Sequence, residues 1–279
     1  MTVDLGRVGI WQNWRQVNVE LAAAVEQLGY GAIWLGSSPP GDLRIVEDLL
    51  DATSTVTLAT GIVNMWREDA ATVAASYHRV SSKHPGRFLL GVGIGHPEST
   101  EAYQRPYDKM VSYLDQLDQA GVPVQERVLA ALGPRVLRLS GERSAGAHPY
   151  LTTPEHTKQA HEILGEGPLL APEHKVVMET DPALARGIGR PAVQNPYLGL
   201  SNYLNNLRRL GYTDADFADG GSDRLIDALV LQGDAVTIAR GITAHFNAGA
   251  DHVAIQALTA EGGDPLPTYR ALADALGLG

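Results

Sequence analysis

VTLATGIVNMWREDAATVAASYHRVSSKHPGRFLLGVGIGH, residues Val56 to His96, reads as strand, helix, strand. Thr57–Asn64 is strand-like until Gly61, and a glycine inside a strand pattern marks a bulge or a close backbone approach. In Asp69–Val80 the residues Ala70, Val73, Ala74, Tyr77 and Val80 recur at three- and four-residue spacing, the stripe of a helix packed on a sheet. His84-Pro85-Gly86 ends that helix. In Arg87–Gly95 the side chains of Phe88, Leu90, Val92 and Ile94 face one way, while Gly91, Gly93 and Gly95 leave bare backbone on the other. Two readings fit those glycines: a seat for a planar ring, or relief of crowding inside a closed barrel, whose inward positions often alternate small and large. Their G-x-G-x-G spacing is not the dinucleotide fingerprint, which needs G-x-x-G and an opening helix.

The same alternation extends in both directions. Val8–Trp11 is a first strand, followed by a helix that buries Val17, Leu21, Ala24, Val25 and Leu28 before Gly29. Ala32–Gly36 is the second strand, and the turn-rich Ser37-Ser38-Pro39-Pro40-Gly41 after it is a site loop. Strands five to eight fall at Arg127–Gly133, Gly146–Leu151, His174–Thr180 and His252–Leu258, with helices between them. Residues 181–232 exceed a simple crossover and are expected to form a helical insertion between strands seven and eight. Eight strands alternating with helices argue for a parallel sheet that closes as a (β/α)8 TIM barrel, with an open doubly wound sheet as the alternative. The chain is read as one domain.

Composition narrows the function. The 279 residues are close to the roughly 250 typical of one such barrel. A formal net charge of −10 argues against general nucleic-acid binding, which relies on basic residues. There is no cysteine, hence no disulfide and no thiolate metal site, and the histidine spacing gives no metal site either. The first thirty residues lack a signal-peptide core, and no apolar run approaches the roughly 18 residues of a membrane span. A cytoplasmic protein without a membrane contact is expected.

In a barrel of this type the residues just after each strand form the site. Trp11, Trp14 and Trp66 cluster there with Asn64 and can wall a dry pocket for a ring-shaped ligand, while Trp34, inside strand two, reads as core. His96 follows strand four and can give or take a proton near neutral pH. His148 and Tyr150 share one face at the end of strand six, where either could bond a ligand edge. The Gly133-Pro134 turn points free backbone N–H groups at the mouth, which suits a phosphate. No G-x-S-x-G elbow and no Walker-type loop is present.

LATGIVN followed by a helix and GRFLLGVGIGHPES resembles the luciferase-like monooxygenase superfamily. AALGPRVL, HPYLTTPEHT and APEHKVVMETDPALAR are similar to its actinobacterial deazaflavin-dependent oxidoreductases. The resemblance covers nearly the whole chain. It implies a (β/α)8 barrel that holds coenzyme F420, with FMN as the alternative cofactor, at the strand ends. It also implies a non-prolyl cis peptide at Gly61-Ile62. The ring-binding residues it implies are Thr60, Gly61, Ile62 and Asn64 on strand three, and Gly93, Ile94 and Gly95 on strand four. Ala131, Leu132 and Gly133 after strand five and His148 and Tyr150 after strand six complete them. Trp11, Trp14, Ser37 and Trp66 then wall a pocket for a small-molecule substrate. Sugar-phosphate dehydrogenases of the superfamily carry a glutamate after the strand-four glycines and an acidic-histidine pair after strand two. This chain has His96 and Ser37-Ser38 there, so the proton role passes to His96. The expectation is hydride transfer between F420 and a small organic substrate, in a homodimer by analogy. An FMN-dependent monooxygenase and a non-catalytic cofactor-binding protein are the competing readings.

Overall fold

A computed structural model describes residues 3–95 and 105–279. Its apolar runs form the parallel strands β1 (Val8–Asn13), β2 (Ala32–Gly36), β3 (Thr57–Gly61), β4 (Val63–Asn64), β5 (Phe88–Gly93), β6 (Arg127–Leu129), β7 (Gly146–Ala147), β8 (Leu169–Leu170), β9 (Glu173–Val177), β10 (Val230–Gln232) and β11 (Val253–Ala257). The helices are α1 (Val19–Gln27), α2 (Arg44–Asp51), α3 (Ala70–Lys83), α4 (Pro106–Gln119), α5 (Pro134–Arg143), α6 (Pro154–Leu164), α7 (Pro182–Gln194), α8 (Ser201–Arg209), α9 (Asp214–Phe217), α10 (Asp223–Leu229), α11 (Ala235–Asn247) and α12 (Leu266–Leu276). Their starts are written in the sequence. Side chains of Asn18, Asp69, Thr153 and Asp234 accept the first free N–H groups of α1, α3, α6 and α11, and α4 to α7 begin on proline, which lacks the N–H that would go unpaired.

The strands run β11-β1-β2-β3-β5-β6-β7-β8 side by side. Only Ala171 and Pro172 separate β8 from β9, and this continuous stretch bonds β7 on one side and β11 on the other. Ala171 N–H donates to Ala147 O, and Ala254 N–H donates to Pro172 O. The ring therefore closes as the expected (β/α)8 barrel. One core lies between sheet and helices, with Ile10, Ile33, Leu58 and Leu90 facing outward into it. A smaller one fills the interior with Trp11, Trp34, Ala59, Leu89, Val128 and Ala254. Among the described residues no helix is long and apolar enough to cross a membrane.

Two differences from the sequence reading matter for the site. Strands five and six are shorter than expected: β6 stops at Leu129 and β7 at Ala147. The expected insertion is not wholly helical: Val230–Gln232 runs parallel to β9, pairing Val230 with Lys175 and Gln232 with Val177. It takes the edge of β9 that the short β7 leaves uncovered. The helices before it bury a core of their own that includes Leu200, Tyr203, Leu207, Leu225 and Ile226.

Candidate active site

Strand three carries the bulge that the glycine marks. Ala59 pairs with Leu89 and Val63 with Val92, so four steps on one strand oppose three on the other. Thr60 repairs the interrupted ladder: its hydroxyl accepts from Gly91 N–H at 2.8 Å and donates to Gly91 O at 2.7 Å. The Gly61–Ile62 peptide is cis, as the resemblance implies. Beyond the bulge a chamber of about 470 Å³ opens, lined by Gly61, Ile62, Asn64, Ile94, Gly95, Ala131, Leu132, Gly133, His148 and Tyr150, with Trp11 and Ser37. α8 closes it from above through Ser201, Asn202 and Tyr203. Ser37 and Ser38 both adopt left-handed backbone (φ 61° and 54°) where they meet this chamber, a conformation that non-glycine residues hold only under constraint.

Twelve of the sequence-predicted site residues thus meet in one chamber, and the others are placed elsewhere. Thr60 is spent on the bulge, and its side chain is fully buried. Gly93 does not offer a bare face: a Cβ there would lie 2.8 Å from Ala130 Cβ and 3.0 Å from Ile62 Cγ1. Gly91 is similarly blocked by Thr60 O, so crowding within the barrel accounts for these two glycines. Trp14 lies under the Arg15 guanidinium, and Trp66 faces Lys109 at 5.6 Å; neither lines the chamber. His96 lies outside the described residues.

The floor is aromatic and polar. Trp34 stacks on His148 (centroids 3.9 Å apart, 11° between planes) and donates its indole N–H to His252 Nε2 at 3.0 Å. His148 Nδ1 faces Ala171 O at 2.7 Å. A carbonyl cannot donate, so the proton sits on Nδ1, and Nε2 is left as an acceptor with no partner. Burial pushes this imidazole down to about 4, so it is neutral at physiological pH. Trp11 Nε1–H is likewise buried and unpartnered. Both atoms flank Gly61: a Cβ there would stand 2.8 Å from Trp11 Nε1 and 3.2 Å from His148 Nε2.

Trp11, Tyr150 and Tyr197 form an aromatic wall, with ring centroids 5.0 and 5.4 Å apart. Behind it is a second chamber of about 660 Å³, shared between β1, β9, β11 and the insertion. Its inner end holds Lys175, whose ammonium is 3.0 Å from Glu173 Oε1, 3.1 Å from Gln256 Oε1 and 3.8 Å from the Tyr150 ring centre. Burial pushes that ammonium down from its ordinary range and the Glu173 carboxylate pulls it back up. The sequence reading missed this group. Its signal was present, because Glu173 and Lys175 alternate on the inward face of a strand that is otherwise apolar or histidine.

Residues 12–121 match the family model of the luciferase-like monooxygenases. Among curated proteins, N-acetyl-S-alkylcysteine monooxygenase of Bacillus subtilis is 32% identical over 114 residues, 36% of this chain and 33% of that enzyme; the match spans about a third of its length. Among solved structures, an F420-dependent secondary alcohol dehydrogenase in complex with an F420-acetone adduct superposes with a TM-score of 0.75 at 14% identity over 99% of each chain. The oxygenating constituent of the 3,6-diketocamphane monooxygenase of Pseudomonas putida, in complex with FMN, superposes with a TM-score of 0.66 at 16% identity over 96% of each chain. At such identities the likeness is one of fold.

Proposed function

We propose that this chain is an oxidoreductase that binds coenzyme F420 in the first chamber and transfers a hydride between it and a small organic substrate in the second. The observation that carries this reading is the pair of unpartnered atoms beside Gly61. Trp11 Nε1 can only donate and His148 Nε2 can only accept, so a flat heterocycle with a carbonyl next to a ring N–H meets both. Leaving such buried groups unmet costs about 1–3 kcal/mol each. The volume of about 470 Å³ lies within the roughly 300–1,000 Å³ usual for cofactor-sized ligands.

When bound, the deazaflavin supplies hydride chemistry at its ring. The chain's own residues orient it and keep water out. Gly61 and Ile62 underlie it, and Trp11, Tyr150 and Tyr197 separate the chambers. Gly133 opens α5 without a side-chain cap, leaving N–H groups for an anionic tail, and the Arg209 guanidinium lies 3.6 Å from where its Cβ would be. His96, which follows β5 in sequence, is proposed to give or take the proton. The working form is proposed to be a homodimer, which sedimentation equilibrium tests.

An FMN-dependent monooxygenase is the second reading, favoured by the match of residues 12–121 and by the FMN-bound relative. Fluorescence titration of the purified chain with F420 and with FMN separates the two. Saturable binding of F420 in preference to FMN is expected; the opposite preference transfers the proposal to the second reading, and binding of neither withdraws both. His96→Ala should lower turnover about 10²-fold. Unchanged turnover at every pH would remove His96 from the scheme.

A further inference from the structure

Tyr150 stands in the middle of the aromatic wall and lines both chambers, yet it lies three residues beyond Ala147, where β7 ends. Strand pairing stops short of it. Glu173 takes hold of the residues on either side. Its backbone N–H donates to Pro149 O at 2.8 Å, and its carboxylate Oε2 accepts Leu151 N–H at 2.9 Å. Leu151 is in left-handed backbone (φ 56°), a conformation that a leucine keeps only where its surroundings hold it.

The ring itself is held from two more sides. Its O–H donates to Gln256 Oε1 at 3.0 Å, and the Lys175 ammonium stands 3.8 Å from its centre. An ammonium has no lone pair, so Lys175 donates to Gln256 Oε1 at 3.1 Å and to Glu173 Oε1 at 3.0 Å. One carboxylate, one ammonium and one carboxamide thus tie together the hydroxyl, the ring face and both flanking peptides of Tyr150. The side chains of Lys175 and Glu173 are 1% and 0% exposed. A charge pair buried so deeply is weak evidence for stability, since apolar side chains of the same volume often serve as well.

We propose that Glu173, Lys175 and Gln256 are positioning residues that hold the Tyr150 ring at one place and tilt in the wall between the chambers. Through Tyr150 they shape the side of the first chamber that a cofactor meets. Calling that cofactor F420 rests on the oxidoreductase reading above; the hold on Tyr150 does not.

The test pairs crystal structures of the cofactor-free chain with a mutant cycle on cofactor affinity. Lys175→Met alone would strand Glu173 as an unpaired buried charge. Glu173→Gln combined with Lys175→Met removes both charges and keeps an oxygen for Leu151 N–H. In that double variant the Tyr150 ring should stand about 1 Å from its place in the parent, the scale of misplacement that disables a site. Gln256→Met, at a half-buried position, releases the hydroxyl alone and should displace the ring likewise. The double variant and Tyr150→Leu should each weaken F420 about tenfold, and all three changes together no further, because the charge pair acts through the ring. Lys175→Arg keeps a cation beside the ring, with the second chamber to extend into, and should bind F420 within about threefold of the parent. The proposal is overturned if Tyr150 keeps its parent position in the double variant and in Gln256→Met. It is also overturned if the affinity losses multiply in the triple variant, or if Lys175→Arg loses as much as the double variant. A parent that prefers FMN is put through the same cycle with FMN. Binding of neither cofactor withdraws the oxidoreductase reading, and the crystal structures then decide the positioning.

Discussion

At Gly93 the space for a side chain is already taken by Ala130 and Ile62. Gly93→Ala is therefore expected to destabilise the fold by about 1–3 kcal/mol, the usual cost of overpacking. It should also weaken F420 binding, because Ala130 and Ile62, which the added methyl would crowd, both line the chamber. Urea unfolding and cofactor titration check the two parts, and a variant unchanged in both would restore the bare-face reading of the glycine. His148 gives a second expectation at this scale. With its pKa pushed down to about 4 by burial, its imidazole signals should stay fixed in an NMR titration from about pH 7.5 to 5. A midpoint near 6.5 for His148 would mean that Nε2 is not the free acceptor described. Gly61, Trp11, His148 and Tyr150 were legible in the sequence because each directly ends or follows a strand. Gln256 was not, because the groups that hold it, Lys175 and Tyr150, lie elsewhere in the barrel, and Lys175 was passed over although its alternation with Glu173 on one strand could be read.

Among the elements, β6 owes its place to Arg127, whose side chain is fully buried. Its guanidinium donates to Arg143 O at 3.0 Å and Val122 O at 3.3 Å and pairs with Asp118, tying the ends of α4 and α5 under the strand that leads to Ala131–Gly133. Arg127→Met should destabilise the chain by about 3 kcal/mol, because two carbonyls lose their donor and Asp118 is left with Arg143 alone. F420 binding should weaken along with it. Stability within about 0.5 kcal/mol of the parent in urea unfolding would show that the helices hold β6 without it. Pattern reading gave this arginine no role, since a charge opening a strand looks solvent-facing until α4 and α5 close over it. The same limit explains β10. Its three residues are too few to show a period, and only the short β7 creates the edge they occupy. The long runs β1, β2, β3 and β5, with helices between them, carry their periods openly, and there the strand-helix order was legible.

For the whole molecule, the largest unspent electrostatic feature is its set of buried neutral histidines. His174 Nδ1 meets His245 Nε2 at 2.7 Å and His245 Nδ1 meets Thr157 Oγ1 at 2.8 Å, a chain from the outer face of β9 to α6 and α11. His148 and His252 stand inside the barrel on either side of Trp34. Burial pushes His148 and His252 down to about 4 and His245 to about 3. An unfolded imidazole takes its proton near pH 6.5, so between that value and about 4 the unfolded chain binds more protons than the folded one. Stability must then fall as pH falls through this window, by about 1.4 kcal/mol per pH unit for each histidine and about 4 for these three together. The carboxylates held low by their hydrogen bonds, Glu47 and Asp69 among them, act in a separate window: their contribution is present above the usual carboxylate range and is lost only below about pH 4. Urea midpoints measured from pH 8 downwards should begin to drop near 6.5 and be much reduced by 5. A midpoint flat from pH 7 to 5 would mean that these rings are charged or reached by water in the native fold, and that the dry barrel floor assigned to the ring site is wet.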